Sequence, residues 1–190
     1  NYHLQKALEL DNKQPGALEI KLQIYNNYLA LAERSAPQAQ EELLDLAANN
    51  LFSVISQTPE KVSSDNTLWM ANHYFAKKDR IALQDQEQLT HVLSRADLCF
   101  SHLLKKEGTY VDITPETLFL EPEMLKYAKV LQASQKLREK HSLIETLVAM
   151  QSVSSSLEWS YKNETLYELA QTYKAMGELD KAVQTFSALA

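Results

Sequence analysis

The stretch Leu166 to Leu189, LYELAQTYKAMGELDKAVQTFSAL, constrains this chain more than any other segment. Leu166, Leu169, Ala170 and Tyr173 fall at i, i+3, i+4 and i+7, so they share one helix face. Met176-Gly177-Glu178 interrupts that period, with Gly177 placed to take the left-handed conformation that ends a helix. Leu179, Ala182, Val183, Phe186 and Leu189 then restart it. The spacing predicts two short helices folded on each other, over 163–176 and 179–190. Neither is long enough to bury its apolar face alone, so the pair requires stacked neighbours. That is the logic of a solenoid of helical hairpins, and solenoids commonly act by binding other proteins.

The rest of the chain agrees with an all-α reading. Three Gly, five Pro and 45% apolar residues among 190 fit a helix-dominated protein of one domain, with strand signals nearly absent. The net charge of −6 argues against a nucleic-acid partner, which would need a basic face. No apolar run approaches the roughly 18 residues that span a bilayer, so no membrane insertion is expected. A single Cys precludes an internal disulfide framework and fits a reducing compartment, cytoplasm or nucleus. The chain begins with Asn in what reads as mid-helix and ends on an apolar helix face, as a piece of a longer solenoid would.

An internal recurrence strengthens this. Leu4, Phe52, Phe100, Leu147 and Phe186 are candidate knobs on the second helix of each pair, separated by about 48 residues and less for the last. A small residue stands four positions before three of them, at Ala48, Ala96 and Ala182. LAANNLFSVI, LSRADLCFSHLL and LDKAVQTFSAL read as versions of one element. Start and stop signals predict helices over about 2–11, Pro15 to Arg34, 37–57, 65–79, 84–106, 122–139 and 140–152, before the final pair. Ser63-Ser64-Asp65 is an N-cap region. Residues 107–121, EGTYVDITPETLFLE, break the helical period and read as an irregular insertion with room for a short extended piece. SVSSSLEWSY, 152–161, reads as a linker anchored by Trp159.

The final segment resembles a tetratricopeptide repeat. The resemblance rests on Leu166, Leu169, Ala170, Tyr173, Gly177, Leu179, Ala182 and Phe186, with Leu189 departing where the family usually has Ala. The family places small residues where its paired helices touch, here Ala170 against Ala182. YHLQKALELDNKQPGA resembles the junction between two repeats, with Asn12 where Pro is usual. The good matches cover about a quarter of the chain, and the recurrence exceeds the usual period of about 34. The resemblance implies a right-handed superhelical solenoid of antiparallel helix pairs, about four pairs plus a leading half-repeat, spanning 1–190.

It also implies a protein or peptide partner on the concave face, which the first helix of each pair lines. Aligning Leu18, Trp69 or Thr67, Tyr127 and Leu166 as starts of those faces puts amides in equivalent places, at Gln23, Asn72, Gln132 and Gln171. Asn26, Asn27 and Gln135 add amides one turn on, and Tyr167 joins the same face. An amide both donates and accepts, so it pairs with a peptide backbone of any sequence. Gln and Asn are also common filler on exposed helix faces. ANHYFAKK, with Asn72 and Phe75, resembles the opening of the clamp by which one variant of the family holds the C-terminal carboxylate of chaperones. Glu19, Leu68 and Tyr167 occupy the places of the clamp's cations, which argues against that ligand.

Catalytic chemistry is not legible. His91 and His102 stand three helical turns apart, roughly 16 Å, too far to share a metal. Cys99 and His102 have ligand spacing, but two groups are not a site, and Cys99 adjoins Phe100. No Gly-rich phosphate loop, HExxH or GxSxG occurs. Asp85 and Glu87 read as helix-start charges rather than an acid/base pair. No cofactor, metal or enzymatic activity is expected. Three functions remain open: a scaffold within a multiprotein complex that binds a partner segment, a structural spacer or self-association segment, and a regulatory or substrate-docking part of a larger enzyme.

Overall fold

The computed structural model describes residues 3, 6, 16–81, 85–106, 109–111, 114, 120–133, 137–157 and 161–189. Eight helices account for most of them. In chain order they are α1 (Ala17–Ala32), α2 (Pro37–Ile55), α3 (Ser64–Lys78), α4 (Gln86–Leu104), α5 (Glu121–Gln132), α6 (Leu137–Leu157), α7 (Lys162–Ala175) and α8 (Leu179–Ser187). A 3-10 turn, Pro59–Lys61, precedes α3. Two short strands, β1 (Lys105–Lys106) and β2 (Thr109–Tyr110), pair antiparallel after α4, with Lys105 opposite Tyr110. The chain divides into two compact units, Asn1–His73 and Tyr74–Ala190, with the boundary inside α3.

Local chemistry explains several helix ends. Pro37 occupies the first turn of α2, where its missing N–H costs nothing. Ser63 Oγ accepts from the Asn66 N–H at the start of α3. The Asp85 carboxylate caps α4 by accepting from the Gln88 N–H at 2.9 Å. At the end of α7, Gly177 has φ +80°. The Glu178 N–H reaches back to the Tyr173 carbonyl at 2.9 Å and the Gly177 N–H to Lys174 at 3.0 Å, the paired bonds of a Schellman stop. A Cβ on Gly177 would meet nothing within 4 Å, so only backbone strain opposes substitution. Gly177→Ala is expected to lower stability by about 1–2 kcal/mol in urea unfolding followed by circular dichroism. An unchanged midpoint would show that the turn does not need this conformation.

In the first unit, Ile24, Tyr25 and Tyr28 of α1 and Ala47, Ala48, Leu51, Val54 and Ile55 of α2 are buried. The short α1–α2 connection makes these two helices a hairpin. The Tyr25 ring lies 5.5 Å from that of Trp69, and its hydroxyl donates to Asn66 Oδ1 at 3.1 Å, tying α1 to α3. Trp69 stacks on His73, whose Nε2 lies 2.9 Å from Asp45 Oδ1 of α2.

In the second unit, α5 packs against α4, α6 and α7 and carries the core. Met124, Tyr127, Ala128, Val130 and Leu131 are all fully buried. Phe100 of α4 meets the Phe75 ring edge-on at 6.4 Å and stacks on Tyr127 at 5.8 Å. Tyr127 donates its hydroxyl proton to Asp97 Oδ1 at 2.9 Å and lies 2.8 Å from Ser101 Oγ. α7 packs in turn on α6, α5 and α8.

Several boundaries differ from expectation. α5 stops at Gln132 instead of 139, and α6 runs Leu137–Leu157 instead of 140–152. Ala133 to Lys136 holds no Gly or Pro to mark the stop. The Ser-rich run read as linker is helical to Leu157, because Ser costs a helix only about 0.5 kcal/mol per residue. Within 107–121, the expected extended piece is β2, and the Val111 N–H bonds the Leu104 carbonyl at 2.9 Å. Leu179 and Val183, read as part of the apolar period of the last helix, are 61% and 64% exposed. α8 turns its small residue, Ala182, into the core and leaves these two outside. The leading helix over 2–11 lies outside the described residues except for His3 and Lys6, both helical. Trp159 and Phe119 also lie outside them.

Candidate functional site

A groove of about 800 Å³ lies between α5 and α7 in the second unit. On α5, Pro122, Leu125, Lys126 and Lys129 fall at i, i+3, i+4 and i+7 and form one wall. Tyr161, Asn163, Glu164, Tyr167 and Glu168, at and within the start of α7, form the other. Phe75 of α3 and Leu189 close it. The walls are thus aromatic and aliphatic, with a few polar groups, as ligand-binding clefts usually are. Two lysines and two glutamates line it, so the groove is formally neutral in a chain of net charge −6.

Hydrogen bonding fixes the α7 wall. Glu168 is almost fully buried, and its Oε2 accepts from Gln132 Nε2 at 2.9 Å while Oε1 lies 3.5 Å from Lys129 Nζ. Gln132 Nε2 also lies 3.2 Å from both the Glu168 carbonyl and Thr172 Oγ1. Thr165, Glu168 and Thr172 therefore form a buried polar row on α7, and Gln132 of α5 bonds the last two. Lys126 Nζ is 3.8 Å from Glu123 Oε1. Tyr167, 46% exposed, accepts a bond from Gln171 Nε2 at 2.8 Å, and its ring lies 5.8 Å from that of Phe186.

The amides read from sequence take different places. Tyr167 lines the groove and Gln171 orients its hydroxyl. Gln132 is committed to the α5–α7 contact. In the first unit, Gln23 and Asn26 are exposed on α1 and Asn27 is half-buried beside a smaller hollow of about 280 Å³, shared with Ala30, Leu31 and Arg34. Asn72 is half-buried on α3. Gln135 lies outside the described residues. Sequence reasoning missed Pro122, Leu125, Lys126 and Lys129, although their helical spacing was visible. The alignment had started that face at Tyr127, which instead points into the core against α4.

Two titratable groups outside the groove are shifted by their surroundings. Burial pushes the Cys99 thiol up to about 12, so it stays protonated and weakly nucleophilic at neutral pH. Burial, followed by the charges of Arg95 and Lys77, holds the His91 imidazole below its ordinary value. Among the described residues, no three His, Cys, Asp or Glu side chains cluster to hold a metal, and no helix is long and apolar enough to cross a membrane. No protein-family model, curated protein or solved structure matches this chain.

Proposed function

We propose that this chain is a tetratricopeptide-like interaction module that holds an extended segment of a partner protein, and that it is not itself an enzyme. The observation that carries this reading is the neutral, aromatic-lined groove between α5 and α7. Those two helices are the first members of successive pairs in the sequence reading, and they pack side by side. The recurrent small residues Ala48, Ala96 and Ala182 are all buried, which supports one repeated helix-to-helix contact. Lys129, Asn163 and Tyr167 place donors and acceptors along the wall for a peptide backbone, and Leu125, Phe75 and Leu189 offer an apolar seat for one of its side chains.

The test is a displayed library of 12-residue peptides selected on the full chain, with affinities then measured by calorimetry. Tyr167→Ala should weaken the selected peptides about tenfold or more, because a partly exposed Tyr beside a groove is a typical energetic anchor. The same variant should lose no more than about 1.5 kcal/mol of stability, the scale of its ring contact with Phe186. Gln23→Ala, on α1, should leave binding unchanged. Peptides indifferent to Tyr167→Ala would remove the groove as the binding surface.

A further inference from the structure

The four charges that line the groove between α5 and α7 are not equally committed. Lys129 Nζ lies 3.5 Å from Glu168 Oε1, and Glu168 is buried and bonded again by Gln132. Lys126 Nζ lies 3.8 Å from Glu123 Oε1. Glu164 is exposed on the opposite wall, and its carboxylate has no ion pair or hydrogen bond among the described residues. The charge that the groove leaves open is therefore negative.

Aromatic rings flank it. Tyr161, Glu164 and Tyr167 follow one another at intervals of three residues at the start of α7, and all three line the groove. Both tyrosines are partly exposed. A ring face attracts a cation, and a carboxylate beside it supplies the opposite charge. The second unit already builds this combination: Lys181 Nζ lies 2.6 Å from Glu178 Oε2 and 5.4 Å from the centre of the Tyr173 ring. Arg95 uses a tyrosine in a related way, with Cζ 5.4 Å from the centre of the Tyr74 ring and Nη1 donating to its hydroxyl at 2.8 Å. We propose that Tyr161, Glu164 and Tyr167 form a subsite for an arginine side chain of the partner segment. This rests on the α5–α7 groove being the binding surface.

Arginine suits the subsite better than lysine. Its planar guanidinium stacks on a ring and forks two N–H groups onto one carboxylate, whereas an ammonium is a compact and more strongly hydrated charge. An acidic side chain is a poorer occupant. It would have to compete with Glu123 and Glu168 for the two lysines, and Gln132 holds Glu168 in place. The net charge of −6 also favours approach of a basic segment. Glu164 stands in the first turn of α7, where the helix dipole favours an anion. The dipole accounts for an acid in that turn, but not for a ring on either side of it in a groove.

The probes are three displayed libraries of 12-residue peptides, alike except that one central position is fixed as Arg, Lys or Glu, each selected on the full chain. The Arg library is expected to yield the tightest binders in calorimetry. Glu164→Gln in the chain, or citrulline in place of that Arg in the peptide, should each weaken them about tenfold, and both changes together little more than either alone. Glu164→Gln should leave the melting temperature unchanged, since the side chain is exposed and unpaired among the described residues. Binders that need Tyr167 yet ignore Glu164→Gln overturn the arginine subsite and leave the groove standing. Binders indifferent to both Tyr167→Ala and Glu164→Gln, or no binders at all, remove the groove and the subsite together. Tightest binders from the Glu library overturn the proposal in favour of an acidic segment. A lowered melt with unchanged binding in Glu164→Gln overturns it too, leaving Glu164 as a helix-start charge.

Discussion

Tyr127→Ala is expected to lower the stability of the second unit by about 3–5 kcal/mol, the range for removing a fully buried aromatic ring. The ring stacks on Phe100 and lies 6.1 Å from that of Tyr110, so its loss opens a space where α4, α5 and the β2 strand meet. Tyr127→Phe keeps the shape and removes only the hydroxyl bonded to Asp97 and Ser101, at a cost of about 1.5–3 kcal/mol for a bond to a charged group. The hydroxyl also makes stability depend on alkaline pH. Burial, with Tyr110 and the Asp97 charge adding to it, pushes the Tyr127 phenol well above its ordinary value. The unfolded chain ionises this phenol near pH 10, while the folded chain keeps it neutral. Its stabilising contribution is therefore complete below that pH and is lost progressively as pH rises through and beyond it. Tyr25, raised by burial in the first unit, acts in the same direction. Urea midpoints measured from pH 8 to 11 should fall, and fall less steeply in Tyr127→Phe. Equal slopes in the two proteins would mean that Tyr127 is not buried as described.

Ala96→Phe is expected to cost about 1–3 kcal/mol, because a large ring is forced into a close approach sized for a methyl group. Ala48→Phe should behave alike in the first unit, where Ala48 is equally buried. Ala149→Phe, on the exposed side of α6, should fall within about 0.5 kcal/mol of the parent. Thermal melts of the three separate a specific contact from general intolerance of phenylalanine. If Ala96→Phe melts with the parent, the small residue does not mark the helix-to-helix contact.

The helices were legible because their signals are local. The Pro37 start, the Asp85 cap and the Gly177 stop each act within one turn of backbone, and a single sequence displays them. Where such a signal is missing, as between Gln132 and Leu137, the break went unread. The candidate site was half legible. Tyr167 and Gln171 were found from the face they share, but Gln132 was read as a groove amide when it bonds Glu168 and Thr172 inside the α5–α7 contact. Helical periodicity places a residue on a face of its own helix. It does not say which neighbour that face meets, and α5, apolar on nearly every side, has three neighbours.

Taken alone, the residue order determined that this chain is helical, where most of its helices begin and end, and that small residues recur at Ala48, Ala96 and Ala182, all of them buried. Those properties depend on propensity, capping and side-chain volume within a few turns. Tertiary packing alone decided that Tyr127 faces α4, that Lys129 and Tyr167 share a groove, and that Leu179 and Val183 remain in water. Each of those outcomes depends on which helix arrives beside another, a long-range choice that no single turn of sequence encodes.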